Sequence, residues 1–320
     1  MHFYAELAAV LRESELYDLI GDIHGHASEL IKLLEHLGYE ESTTGYAHPS
    51  RQVVFLGDFI DRGREQREVL RIVMQMVRNG HAISVMGNHE FNALAYHTPN
   101  EYGFLRPHSD KNRKQHHAFL EAFDDDPQAK AEVLDFFYQL PLWLDLPGLR
   151  VVHACWQQSS IDALSGLLDG ARLDETTLVK ASSEGSLEYE AIETLLKGYE
   201  VKLPTGVVFE DKDGYPRSLM RVRWWCRDAQ TLGELALPFD IDIGDAGSLP
   251  APSDMPLYES SAKPCFIGHY WLNGDPAPLT NNVACLDYSV AKRGKLVAYR
   301  WDGESELTQA KFTFVGADSH

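Results

Sequence analysis

Tyr17-Asp18-Leu19-Ile20-Gly21-Asp22, Gln52-Val53-Val54-Phe55-Leu56-Gly57-Asp58 and Ala82-Ile83-Ser84-Val85-Met86-Gly87-Asn88 share one pattern: a short apolar run, then glycine, then a polar side chain. Two helical stretches separate them. Residues 27–37 carry Leu30, Leu33, Leu34 and Leu37 at helical spacing, and residues 65–77 carry Val69, Ile72, Val73 and Met76. The order β-α-β-α-β predicts a parallel sheet with right-handed crossovers. Ligands of such sheets sit beyond the carboxyl ends of the strands, so the three glycine-polar corners should open into one crevice.

Working outward, residues 97–117 are polar and read as an insert over that crevice. Residues 118–140 read as one helix stopped by Pro141. A strand at 149–152 leads to His153, and residues 160–198 read as two or three short helices. Strands return at 206–209 and 218–225 around an Asp211-Lys212-Asp213-Gly214 turn. Residues 239–259 read as a long loop, followed by strands at 265–270, 283–290 and 295–301, the last two joined by a turn at Lys292-Arg293-Gly294. The first residues read as an amphipathic helix followed by a strand, not as a signal peptide. No composition break separates two domains. Residues 1–320 therefore read as a single domain with a cap insert at 97–117 and a loop at 239–259.

The 320 residues are 44% hydrophobic and 24% charged, which excludes a disordered or collagen-like chain. Lys and Arg number 29 against 48 Asp and Glu, a net charge of −19. Such a surface repels nucleic acid and anionic membranes, so neither is an expected partner. Acids and histidines do suit a metal cation. Cys155, Cys226, Cys265 and Cys285 form no Cys-x-x-Cys pair, which fits a reducing compartment. No apolar run approaches the roughly 18 residues that span a bilayer. A cytoplasmic protein is expected.

Asp22 and His24 stand two apart in an extended corner, Asp58 arrives from the next strand and Asn88 from the third. Carboxylate, imidazole and amide oxygen together suit manganese, iron or zinc better than calcium or a soft metal. Singly, each segment is a common turn. The weight lies in three of them within one β-α-β-α-β unit.

Gly21-Asp22-Ile23-His24-Gly25, Gly57-Asp58-Phe59-Ile60-Asp61-Arg62-Gly63 and Gly87-Asn88-His89-Glu90 together resemble the signature of the phosphoprotein-phosphatase-type, calcineurin-like metallophosphoesterases. The resemblance runs from residue 17 to 90, with His153 and Gly268-His269 as downstream matches. Residues 219–223, 267–271 and Cys285-Leu286-Asp287 are similar to segments of symmetrical diadenosine tetraphosphatases, in a bacterial branch that also contains small protein phosphatases. The resemblance implies a four-layer α/β/β/α sandwich with two mixed β-sheets. It implies two divalent cations, manganese first, with iron or zinc as alternatives. Asp22 and His24 would hold one, Asp58 would bridge, and Asn88, His153 and His269 would hold the other. A hydroxide between the ions would attack phosphorus in line. Arg62 would clamp the non-bridging oxygens. His89 would protonate the leaving oxygen, oriented by Asp61.

Other residues have their own expectations. Glu90 reads as a helix cap or hydrogen-bond partner, and His26 as a helix start. Arg221 and Arg223 are candidates for a second phosphate-binding arginine; alternating on a strand, only one can face the site. Trp224 and Trp225 read as one core and one surface residue, Cys155 as buried packing, and His108, His116 and His117 as surface residues. Arg106, Lys111, Arg113 and Lys114 lend the insert positive charge suited to a polyphosphate. The expected function is a dinuclear metal-dependent phosphoesterase, with diadenosine tetraphosphate the most specific substrate. A serine/threonine protein phosphatase and a small-phosphomonoester phosphatase stay open. A non-catalytic phosphate-binding module is disfavoured, because the ligand set and the His89-Asp61 pair are intact.

Overall fold

The structure is a computed structural model that describes residues 16–210, 216–237, 241–253 and 255–316. The helix expected before residue 16, the turn at 211–214, and residues 239, 240 and 254 of the expected loop lie outside these.

β1 (Tyr17–Ile20), β2 (Gln52–Phe55) and β3 (Ala82–Ser84) pair in parallel in that order. Their crossovers are α1 (Ala27–Leu37) and α2 (Gln66–Arg78). α1 ends at Gly38, whose left-handed φ of 88° lets its N–H return to the Glu35 carbonyl. Next come α3 (Asn88–His97), α4 (Asp110–Phe123), α5 (Pro127–Tyr138), β4 (Trp143–Asp145) and β5 (Arg150–Val152). Three short helices, Gln158–Ser165, Glu175–Ala181 and Leu187–Lys197, precede the antiparallel pair Glu200–Lys202 and Leu219–Arg221. The chain ends with β6 (Cys265–Ile267), β7 (Val283–Cys285), β8 (Asp287–Tyr288), β9 (Lys295–Trp301) and β10 (Phe312–Gly316).

Both sheets are mixed. In the first, β9 runs antiparallel to β1, and β8 and β10 pair antiparallel with β9. The second has the order β7-β6-β5-β4, with only β4 antiparallel. The period-two alternation of the strands divides their side chains between layers. Leu19, Val54 and Tyr299 meet Val151, Phe266 and Ala284 between the sheets. Ile20, Val53 and Phe55 face outward, packed with Leu30, Leu34, Val69 and Val73 of α1 and α2. Val152, Ile267 and Cys285 do the same on the other side, in the cluster that holds Leu164, Leu178 and Leu195. The four-layer α/β/β/α sandwich results. Each fully buried Leu, Ile or Phe contributes about 1.5–3 kcal/mol relative to exposure, so burial on both faces of each sheet sets the layering. A buried Asp18 adds a polar tie, accepting from Arg51 Nε at 3.0 Å, Arg300 Nε at 3.1 Å and the Tyr39 hydroxyl at 3.1 Å. No helix among the described residues is long and apolar enough to cross a membrane.

Several expectations need correction. Residues 118–140 are two helices: Asp126 accepts from the Ala129 N–H at 3.0 Å and Pro127 opens a new first turn. Residues 97–117 hold the hairpin of Pro99–Asn100 with Gly103–Phe104 and the first half of α4. The strand expected over 283–290 breaks at Leu286, where the chain leaves the second sheet for the first. Phe209–Glu210 pairs with Pro216–Arg217, a shift from the strand expected at 206–209. Trp224 and Trp225 are both buried: the chain turns after Arg221, so strand alternation no longer separates them. β10 has no counterpart in the sequence reading.

Candidate active site

Asp22 and His24 follow β1, Asp58 follows β2, Asn88 opens α3 beyond β3, His153 follows β5 and His269 follows β6. All six are buried. They converge. His24 Nε2 lies 3.7 Å from Asp58 Oδ2 and 4.0 Å from Asp22 Oδ2. His153 Nε2 lies 3.3 Å from Asp58 Oδ2 and 3.2 Å from Asn88 Oδ1, and His269 Nδ1 is 2.7 Å from that same amide oxygen. Two groups have ligand atoms within 4.8 Å of one another, His24-Asp58-His89 and Asp58-His153-His269, and Asp58 belongs to both.

The backbone is strained to achieve this. Of nine non-glycine residues with positive φ among those described, six are His24, Asp58, Asp61, Arg62, His269 and Trp271. Left-handed backbone is costly for such residues and persists where surrounding contacts fix it. Glu90 supplies one set of contacts, accepting from the N–H groups of Asp58 and Phe59 at 2.8 Å each and of Gly87 at 2.9 Å. It therefore locks the β2 corner to the start of α3, in keeping with its reading as a cap. Gln66 does the same for Asp61 and Gly63. A side chain at Gly268 would collide with the Asp22 carboxylate, and one at Gly87 with Asp58.

The protons of the ring nitrogens decide whether this set fits a cation. His24 Nδ1 donates to the Ile60 carbonyl at 3.0 Å and His153 Nδ1 to the Leu56 carbonyl at 2.7 Å. A carbonyl only accepts, so each neutral ring carries its proton on Nδ1 and presents a bare Nε2 lone pair. His24 Nε2 is buried without a hydrogen-bond partner. His153 Nε2, Asp58 Oδ2 and Asn88 Oδ1 are then acceptors facing acceptors, which repel unless a proton or cation stands between them. The residues fit a divalent ion of the manganese, iron or zinc type. Charge says the same. Burial, then Asp287 and Asp58, hold the Asp22 carboxyl well above its usual range. Burial pushes His24 down to about 3, aided by His89, whereas Asp58 and Asp22 overcome burial and pull His153 up to about 10. Both rings lie near carboxylates, but His153 Nε2 is closer to Asp58, at 3.3 Å against 3.7 Å, and His24 also meets the charges of His89 and Arg62.

On the far side of Asp58, His89 Nδ1 donates to Asp61 Oδ2 at 2.5 Å, while His89 Nε2 looks into the crevice 3.9 Å from Asp58 Oδ2. Burial would lower the His89 pKa, but Asp58 and Asp61 outweigh it and raise it. The Asp61 carboxyl has a second partner, His116 Nδ1 at 2.9 Å; with His89 it overcomes burial and holds Asp61 well below the usual carboxylate range. His116 is therefore no surface residue. It is buried against Phe119 and its Nε2 lies 3.3 Å from His97 Nε2. The readable signal was the spacing of His116, Phe119 and Phe123, one face of an otherwise polar helix.

Arg62 borders a groove of about 350 Å³ lined by Lys114, Gln115, His117 and Ala118 of α4. Arg221, whose charge lowers the His269 pKa after burial, is the arginine on the site's side; the Arg223 guanidinium turns away to the Glu234 carbonyl. His26 opens α1, its Nδ1 donating to the His24 carbonyl at 2.8 Å. Cys155 is buried, and Trp224 Nε1 donates to the Ala154 carbonyl and the Tyr270 hydroxyl. His108 is stacked between Tyr96 and Phe104, a correction to its expected exposure, and His117 is exposed as expected. Arg106 donates to Asn92 and Gln115, and Arg113 Nε to the His108 carbonyl; these neutral partners orient the guanidinium groups and leave their charge in place. Asp287 and Trp271 carried no individual expectation.

Residues 17–202, more than half the chain and including the corners after β1, β2 and β3, match the family described as calcineurin-like phosphoesterase. The chain belongs to this family. Calcineurin-like phosphoesterases are hydrolytic and use divalent metals. Among relatives, a bis(5'-nucleosyl)-tetraphosphatase PrpE (asymmetrical) of Halalkalibacterium halodurans is 46% identical over 74 residues, 23% of this chain and 30% of that protein. Its namesake from Oceanobacillus iheyensis is 30% identical over 138 residues, 43% of this chain and 54% of that one. The chain thus spans about half, or less, of the length of these curated relatives. A protein serine/threonine phosphatase structure from Saccharomyces cerevisiae aligns over 97% of this chain and 81% of its own, with a TM-score of 0.51 and 12% identity, which shows the shared fold.

Proposed function

We propose that the chain is a metal-dependent phosphoesterase with two divalent ions, manganese first among the candidates. Asp22 and His24 would hold one, Asp58 would serve both, and Asn88, His153 and His269 would hold the other. The observation that carries this reading is the surrounding of Asp58 Oδ2: the Nε2 atoms of His24 and His153, one from each proposed ligand group, lie 3.7 and 3.3 Å from it. When bound, the ions would supply Lewis acidity, lowering the pKa of a water and offsetting phosphoryl charge.

The chain's own residues do the rest. Arg62 binds the phosphoryl oxygens from the rim, through two N–H groups of its planar fork. His89 keeps one proton on Nδ1 for Asp61 and gives another from Nε2 to the leaving oxygen. Asp61 holds the ring in that orientation and stabilises its charge. Because the site draws on both sheets, we take residues 1–320 to work as one domain. The substrate is a phosphoester or phosphoanhydride, with a dinucleoside polyphosphate as the specific case. The names of the bacterial relatives and the Arg62-Lys114 groove support it.

The test is a hydrolysis panel on metal-reconstituted protein: p-nitrophenyl phosphate, diadenosine tetraphosphate and a phosphopeptide. Manganese-dependent turnover, lost on chelation, is the expected result. Full activity after chelation would overturn the reading. A phosphopeptide turned over with much higher kcat/KM than the dinucleotide would make the chain a protein phosphatase.

A further inference from the structure

Trp271 lies two residues beyond His269, and its ring stacks beside that of His24 with centroids 5.5 Å apart. Two cations meet the same indole: Arg62 Cζ at 5.4 Å and Lys292 Nζ at 4.5 Å from the ring centroid. Sharing one ring, the two positive heads lie within about 10 Å of each other. Neither forms an ion pair with a carboxylate among the described residues, in a chain where acids outnumber bases 48 to 29. Neighbouring cations repel, and an anion between them removes that cost.

This arrangement is built into the fold. The carboxylate of Asp287, buried, accepts from the Trp271 N–H at 2.7 Å and the Ser289 N–H at 3.0 Å. The Ser289 hydroxyl donates to the Leu272 carbonyl at 3.0 Å. Trp271, Ser289 and Arg293 all hold left-handed backbone, at φ of 53°, 61° and 62°. One buried carboxylate therefore fastens the loop that carries Lys292 to the loop that carries Trp271 and His269.

We propose that Lys292 and Trp271, together with Arg62, form a second anion subsite that receives the phosphate next to the one attacked. The inference rests on the phosphoesterase reading and names its substrate class: a phosphoanhydride with several linked phosphates, in place of a simple monoester. Arg62 serves the reacting phosphoryl group, and Lys292 its neighbour along the chain. The indole face pins the Lys292 head and gives up little of its charge to water. In the reaction the P–O bond of the anhydride breaks, the water oxygen joins phosphorus and releases a proton to solvent, and the departing phosphate oxygen takes a proton from His89, which regains one from solvent.

The test compares wild type with Lys292→Gln, both metal-loaded, in steady-state hydrolysis of diadenosine tetraphosphate and p-nitrophenyl phosphate and in calorimetric titration with tripolyphosphate. Lys292 is exposed, so the substitution leaves the core alone. The KM for the dinucleotide and the Kd for tripolyphosphate should rise about 5–10-fold, and the KM for p-nitrophenyl phosphate by several-fold less. Trp271→Phe, which keeps a ring, should fall between. Lys311→Gln, which removes the same charge at the far end of the first sheet, should leave the ratio of the two KM values unchanged. An equal change for both substrates, or an unaltered Kd for tripolyphosphate, would overturn the proposal. If wild type turned over no phosphoester, the phosphoesterase reading would fall, and the tripolyphosphate titration would still decide the subsite.

Discussion

His24 and His89 stand edge to face across the crevice, ring centroids 4.8 Å apart, and both are buried beside Asp58. Their chemistry diverges at the other nitrogen. His24 Nδ1 gives its proton to a peptide carbonyl, and its pKa sinks to about 3 through burial and the neighbouring His89. His89 Nδ1 gives its proton to the Asp61 carboxylate, and its pKa is raised although burial works against it. A neutral acceptor leaves a ring that offers a lone pair to a cation. A charged acceptor leaves a ring that holds two protons and can donate one. In the proposed function the site thus divides into a ligand side and an acid side, set by the hydrogen-bond partner together with the carboxylates around each ring. His153 has a carbonyl partner like that of His24, and Asp58 and Asp22 still raise its pKa.

The largest effect expected from breaking this pattern is at the residue both sides share. Asp58→Ala should lower kcat by more than about 10⁴-fold and reduce bound metal below stoichiometry, measured by elemental analysis beside turnover. Metal content and rate that both stay intact would remove Asp58 from its bridging place. Next comes the acid side alone. His89→Asn should lower kcat by about 10²–10⁴-fold on alkyl phosphates while metal content is largely retained. The loss should shrink for p-nitrophenyl phosphate, whose leaving group hardly needs a proton, and an equal loss for both would contradict the assignment.

The pH profile sharpens the same contrast. Because Asp58 and Asp61 raise the His89 pKa against burial, its acid form persists to higher pH than that of a free imidazole, and rate on poor leaving groups should fall as pH rises through the raised value. That basic limb should vanish in His89→Asn. The smallest effect belongs to the residue behind Asp61. His116→Leu removes one donor from the carboxylate and makes it a stronger base towards His89, so the limb should move to higher pH with kcat down about 10-fold. His116→Asn, which restores an N–H donor, should recover part of the rate. A profile unmoved by either substitution would reduce His116 to packing.

Legibility in the sequence followed the range of the interactions. The β1-α1-β2-α2-β3 unit could be read because each strand and helix is set by its own residues: period-two and helical apolar spacing, with glycine at each corner. Asp22, His24, Asp58 and Asn88 came with it, since their placement needs only that unit's geometry, and the family resemblance added His89. His116 was misread because its polar helix looks solvated until Asp61, 55 residues away, is brought against it. Trp224 and Trp225 were misread because strand alternation fails where the chain turns.

What the sequence determined by itself was therefore the β1-α1-β2-α2-β3 unit and its polar corners, products of local propensity repeated over a short span; the His89-Asp61 pair was what the family resemblance implied. Only the tertiary structure decided the rest. His153 and His269 reach Asp58 because a second sheet packs on the first through Leu19, Val54, Val151 and Phe266. Asp287 comes to hold Trp271 and the Lys292 loop because the chain changes sheets at Leu286. Burial between two faces selects such neighbours among residues hundreds of positions apart, and no local pattern encodes which side chains will then share one carboxylate.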